Sequence, residues 1–167
     1  MKQKIVISSL AVLSLLTIFF WINKTQNGVP MAAQQAALSK VDTSFTDRER
    51  RTIMVGTIPL EVEVVTSPES TTQGLSGREE IGADGMLFIF PELRTPRFWM
   101  PDMKFDIDIV WLNDDTVVDI SASVPKPKPE QKALPTYSPS EPVNRVLELP
   151  AGKAAELGIV PGTICNY

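Results

Sequence analysis

Between Asp102 and Val124 apolar and polar residues alternate with a period of two, the signature of a strand with one face turned to a core. Met103, Phe105, Ile107, Ile109 and Trp111 fall on one face, and Asp102, Lys104, Asp106 and Asp108 on the other. A two-residue turn at Asp114-Asp115 pairs Asn113 with Thr116. The same register sets Trp111 against Val118, Ile109 against Ile120, Ile107 against Ala122 and Phe105 against Val124. It also places Asp108 opposite Ser121 and Asp106 opposite Ser123. Because a slip of one residue would turn both faces over, the pattern predicts a hairpin with an apolar inner side and a solvated carboxylate side.

Short strands with punctuating turns fill the rest of 52–167. Ile53 to Val55, Gly56 and Thr57 to Thr66 read as a hairpin, with Val62 and Val64 alternating with Glu61 and Glu63. Ser67-Pro68-Glu69 has the form of a helix start: a hydroxyl cap, proline in the first turn and an acid beside it. That helix is short, since Gly74 and Gly77 follow closely. Met86 to Phe90 is a continuous apolar run, as expected of a strand buried on both faces. Asn144 to Leu149 is a further strand, Gly152 to Leu157 a helix of one or two turns, and Thr163 to Asn166 a closing strand. Pro125 to Pro142 holds six prolines in 18 residues and reads as an extended loop. The expected fold is mainly β, a compact sandwich or jelly-roll-like domain with one or two short helices.

An N-terminal transmembrane helix is expected to precede it. Ile5 to Ile22 runs for 18 residues without a charge. As a helix it would be roughly 27 Å long, close to the ~30 Å hydrocarbon core of a bilayer. Lys2 and Lys4 favour an inside amino terminus, and no small-x-small cleavage site follows the run. Residues 1–24 thus read as an anchor, with 5–22 in the bilayer, and the following domain lies outside the cytoplasm. Residues 25–51, rich in Gln, Ala, Ser and Thr, read as a flexible linker.

Composition excludes several chemistries. The chain has no histidine and one cysteine, Cys165, which removes Ser-His-Asp and Cys-His nucleophiles, histidine metal sites, cysteine zinc clusters and any intrachain disulfide. Neither a metal nor a cofactor is expected. Residues 25–167 carry 13 basic against 20 acidic side chains, so nucleic acid is not an expected partner.

The stretches TTQGLSGREE, GMLFIF, FWMPDMKFDIDIVWL and RVLELPAGKAAELGIVPGT, in that order, resemble the domain of unknown function 192 family over nearly all of 57–164. The resemblance implies a compact, mostly β fold and no established activity. Asp106 departs from the pattern, since similar sequences often carry proline before the Ile-Asp. Residues 125–136 match it poorly.

The candidate catalytic residues are Asp106 and Asp108, two apart on one strand face and spaced to act as acid and base on a glycosidic bond or to bind Ca²⁺; a plain solvated strip is the alternative. Arg78 and Glu148, each a charge in an apolar setting, are candidates for a ligand clamp or for a partly buried ion pair between helix and sheet. Trp99 and Met100 are candidates for lining a ligand pocket or for the core. The expected function is a membrane-tethered extracytoplasmic binding or accessory domain for an envelope ligand. Two alternatives stand beside it: an envelope carbohydrate hydrolase using Asp106 and Asp108, and a protein-interaction domain using the Pro-rich loop 125–142.

Overall fold

The computed structural model of the chain describes residues 44–167. Strands β1 (Arg50–Val55) and β2 (Ile58–Val65) form the expected hairpin, turning at Gly56 with φ +60°. Helix α1 (Pro68–Gln73) follows, capped by Ser67, whose hydroxyl accepts from Ser70 N. Strand β3 (Gly85–Arg94) then runs parallel to β2. After the short β4 (Phe98–Trp99) come β5 (Ile107–Asn113), β6 (Thr116–Val124), β7 (Thr136–Tyr137) and β8 (Val143–Pro150), then helix α2 (Lys153–Glu156) and β9 (Cys165–Asn166).

Seven strands make one sheet in the order β6-β5-β8-β3-β2-β1-β9, and β4 pairs with β7 in a second, two-stranded sheet. The fold is mainly β with few short helices, as expected, but the large sheet curls on itself instead of splitting into the two equal layers of a sandwich. Its two edges meet: Thr116 of β6 bridges Ile164, and Val117 exchanges backbone hydrogen bonds with Thr163 and Gly162. Closing the edges in this way leaves fewer unpaired strand groups.

Each face of the curled sheet buries its own core. Val62, Leu87, Val110, Leu112, Leu147 and Leu149 point into the first, which draws on every large strand and is enclosed by the curl. Met86, Phe88, Ile109, Trp111 and Val146 point into the second, together with Leu75, Met100 and Met103. The run Met86 to Ile89 alternates between the two cores, which is why the sequence shows no polar side there. On the outer face the β4/β7 pair covers part of the second core, with the Phe98 ring edge-on to Phe88 at 5.1 Å and to Trp111 at 5.3 Å.

Two expectations need correction. The β5–β6 hairpin keeps its turn, Asn113 opposite Thr116, but irregularities displace the pairing beyond it: Trp111 faces Asp119, Ile109 faces Ser121 and Ile107 faces Val124. Near the second irregularity Ser123 adopts φ +50° and donates its N–H to Asp108 Oδ1 at 2.7 Å. The second correction concerns the face that carries Asp108. Asp108 is 1% exposed, on the side of the sheet that also carries Val110 and Leu112. Strand β5 is buried on both faces because each face packs into one of the two cores, Val110 and Leu112 into the first and Ile107, Ile109 and Trp111 into the second.

The folded unit also starts before the expected boundary. Phe45 is buried in the first core and β1 begins at Arg50, so the last residues of the expected 25–51 linker belong to the fold. The anchor expected over 5–22 lies outside the described residues, among which no helix is long and apolar enough to cross a membrane.

Candidate functional site

The outer face carries an open groove of about 650 Å³. One wall is polar, formed by α1 and the turn after it, where Thr71, Thr72, Gln73 and Ser76 face the opening. A second part of the lining is aromatic, built from Phe90 of β3 and from Phe98 and Trp99 of β4. Phe88, Met103, Glu148, Arg94 and Arg97 also line the groove. Trp99 is 59% exposed, so its indole stands at the rim and not in the core.

Local sequence explains both walls. Proline in the first turn and Ser67 start α1, and Gly74 ends it at φ +50°, in a place where a Cβ would come within 3.2 Å of the Phe88 ring. Asp47 holds the helix start, accepting from Ser70 Oγ at 2.6 Å and from the backbone N–H groups of Thr66 and Ser67. The aromatic wall is held open by pairing: Phe98 and Trp99 run antiparallel to Tyr137 and Thr136, which the Pro-rich loop carries. That loop therefore buttresses the groove.

Glu148 is the unusual group. It is 6% exposed, sits on β8 between Met86 of β3 and Ile109 of β5, and receives no hydrogen bond from any described residue. Burial pushes its carboxyl up to about 8, against the opposing pull of the Arg78 guanidinium. At neutral pH it therefore carries its proton, a neutral donor and acceptor facing the groove. Arg78 does not form the ion pair with Glu148 that the sequence suggests. Its guanidinium is bidentate on Glu63, at 2.7 and 2.8 Å, and Glu63 also takes Arg48 at 2.8 Å. Those two arginines, with Arg78 first, hold the Glu63 carboxyl down at about 2 despite its partial burial.

Of the residues singled out from sequence, Trp99, Met100 and Glu148 come together in the groove, with Met100 buried beneath it. Arg78 stands behind Glu148 as an electrostatic neighbour. Asp106 and Asp108 lie elsewhere, and both carboxylates are engaged by backbone. Asp106 Oδ1 accepts from Lys126 N at 2.8 Å, while Asp108 accepts from Ser123 N and, through Oδ2, from Ala154 N at 2.9 Å. Asp108 thus caps α2, whose own cap position, Gly152, has no side chain to do so. An acid–base pair needs two carboxylates open to one substrate; Asp106 is exposed, but Asp108 is buried with both oxygens engaged. Among the described residues no group of acidic, histidine or cysteine side chains is arranged to hold a metal ion.

Sequence reading missed Arg94, Arg97 and the Thr71–Gln73 wall. The one signal available was the density of Arg, Pro and aromatic residues in PELRTPRFW, which combines charge and rings in a segment too short for a core. Four stretches that carry the family resemblance, at 71–76, 88–90, 98–103 and 148, meet at this groove.

The chain belongs to the domain of unknown function 192 family (DUF192, Uncharacterized ACR), whose profile matches residues 51–166. It is similar to two solved structures. One is a protein of Sinorhizobium meliloti 1021 provisionally assigned as a transcription regulator, 29% identical, matched over 73% of this chain and 96% of that one with a TM-score of 0.62. The other is a protein of unknown function from Novosphingobium aromaticivorans DSM 12444, 26% identical, matched over 71% of this chain and 85% of that one with a TM-score of 0.60. Comparison with curated proteins finds no match.

Proposed function

We propose that the chain is a binding module that holds a small organic ligand in the groove between α1 and β4, presented outside the cytoplasm on a membrane anchor formed by residues 5–22. The observation that carries the reading is Glu148, a buried carboxyl group without a hydrogen-bond partner among the described residues, facing an open groove with one polar and one aromatic wall. Buried polar groups are almost always paired, and one left open toward a cavity is most economically completed by a ligand. Binding is favoured over hydrolysis because Glu148 is the single acidic residue among those lining the groove, whereas glycoside hydrolysis calls on two carboxyl groups. The regulator assignment of the Sinorhizobium protein is not carried over to nucleic-acid contact, given the acidic balance of residues 25–167.

A thermal-shift screen of the purified full-length chain against sugars, lipids and carboxylic acids tests the reading. A groove ligand raises the melting temperature by mass action, and the shift is lost in Trp99→Ala. A shift equally large in Trp99→Ala would place the ligand elsewhere and overturn the reading.

A further inference from the structure

We infer that the groove takes an acidic sugar: a pyranose ring bearing a carboxylate, stacked on the Trp99 side, with its hydroxyls on the α1 wall and on Glu148 and its carboxylate on Arg94 and Arg97. The inference rests on the groove being a binding site and adds the chemistry of what binds there. A sugar ring has an apolar C–H face and a hydroxyl-rich edge. The groove offers both kinds of surface, aromatic rings from β3 and β4 and the polar side chains of Thr71, Thr72 and Gln73 from α1. Thr71 Oγ1 already donates to Ser67 O and Gln73 Oε1 already accepts from Arg48, so the groups a fatty chain would leave without a partner, at a desolvation cost, are the Thr72 hydroxyl, the Gln73 amide N–H groups and the Glu148 carboxyl.

Charge decides between neutral and acidic sugars. Arg94 and Arg97 are exposed and line the groove, and neither forms an ion pair with a described residue. Arg94 also lies over the Phe90 ring at 5.1 Å, which orients its guanidinium beside the aromatic wall. Paired arginine forks suit a carboxylate. Glu148 does not oppose an anion while it is protonated. The charged group that acts on it is Arg78, itself locked on Glu63 with Arg48; its register neighbours on β3 and β5, Met86 and Ile109, are uncharged, and Arg94 and Arg97 line the same groove. Once Glu148 ionises, it repels the ligand carboxylate, so affinity falls as pH rises through about 8.

Calorimetric titration of the full-length chain with digalacturonate, digalactose and laurate tests the assignment. Digalacturonate is expected to bind at least about tenfold more tightly than digalactose, and Arg94→Gln/Arg97→Gln to weaken it about tenfold. Arg50→Gln, at an arginine outside the groove, leaves binding unchanged. Between pH 7 and 9.5 the wild-type affinity falls, and that fall is absent in Glu148→Gln. Preferential binding of digalactose or laurate, lost in Trp99→Ala, would overturn the acidic-sugar assignment and leave the groove as a binding site. Failure of all three probes to bind would overturn the assignment, while the groove reading would still be judged by the wider thermal-shift screen. Digalacturonate binding that survives both Trp99→Ala and the double arginine variant would overturn the assignment as well.

Discussion

Two buried carboxyl groups illustrate opposite solutions to the cost of burial. Asp108 is surrounded by donors: the N–H groups of Ser123 and Ala154 bring a bulged strand and a helix terminus onto one side chain. Removing it leaves two backbone donors without their acceptor. Asp108→Ala is therefore expected to cost about 2–4 kcal/mol in urea unfolding, and Asp108→Asn, which keeps one acceptor oxygen, less. A loss near zero would show that water replaces the carboxylate at both donors. Glu148 has no donor and keeps its proton instead. The carboxyl titrates near 4.5 in an unfolded chain and near 8 in the fold, so over that interval the unfolded state loses a proton that the folded state retains. Stability therefore drains away as pH rises from about 4.5 to 8 and levels off beyond. Glu148→Gln is expected to melt higher than wild type at pH 8, by a margin that closes near pH 4; a margin independent of pH would mean that Glu148 is already ionised in the fold.

At the scale of elements, helix α1 is too short to stand alone, and its six residues depend on a brace from outside. Asp47 supplies the brace. Burial would raise its carboxyl, but hydrogen bonds from Ser70, Thr66 and Ser67 outweigh it and hold the group at about 2. A depressed carboxylate stabilises the fold above its unfolded value of 3.8 and ceases to do so as pH falls through its folded value, so this contribution fades between about pH 4 and 2. Asp47→Ala is expected to cost about 1–2 kcal/mol at pH 7, as for other helix caps, and hydrogen exchange should show the loss concentrated in 66–74. Exchange that accelerates evenly over the whole fold would count against a local brace. Strand β3 depends on the opposite of a brace, an absent side chain. A Cβ at Gly85 would stand 2.8 Å from the Glu148 carbonyl oxygen and 2.9 Å from Leu149 Cδ2. Gly85→Ala should destabilise by about 1–3 kcal/mol, read by urea unfolding, because backbone must shift to admit the methyl.

For the whole molecule, the proposed anchor makes a direct prediction: the full-length chain should sediment with membranes and resist alkaline carbonate, and recovery of a soluble form starting after about residue 30 would show cleavage instead. Nearly every strand was legible in the sequence, because period-two alternation and glycine or proline punctuation are local consequences of backbone sterics. The Ser67-Pro68 start of α1 and the turn at Asp114-Asp115 were legible for the same reason. The candidate site was legible in part. Trp99 and Glu148 stood out as residue types in odd settings, whereas Arg94 and Thr71 became visible only when the fold brought α1, β3, β4 and β8 to one groove. Alternation also misled at Asp108, since a charged residue reads as solvated until one knows that the donors satisfying it arrive from 15 and 46 residues away. Sequence by itself thus determined the β character, the element order, the apolar run at 5–22 and the exclusion of histidine and multi-cysteine chemistry. Only the tertiary structure decided that the sheet curls, that Arg78 belongs to Glu63, and that Glu148 faces a groove, because each of these depends on which distant backbone and side-chain groups compete for the same partner.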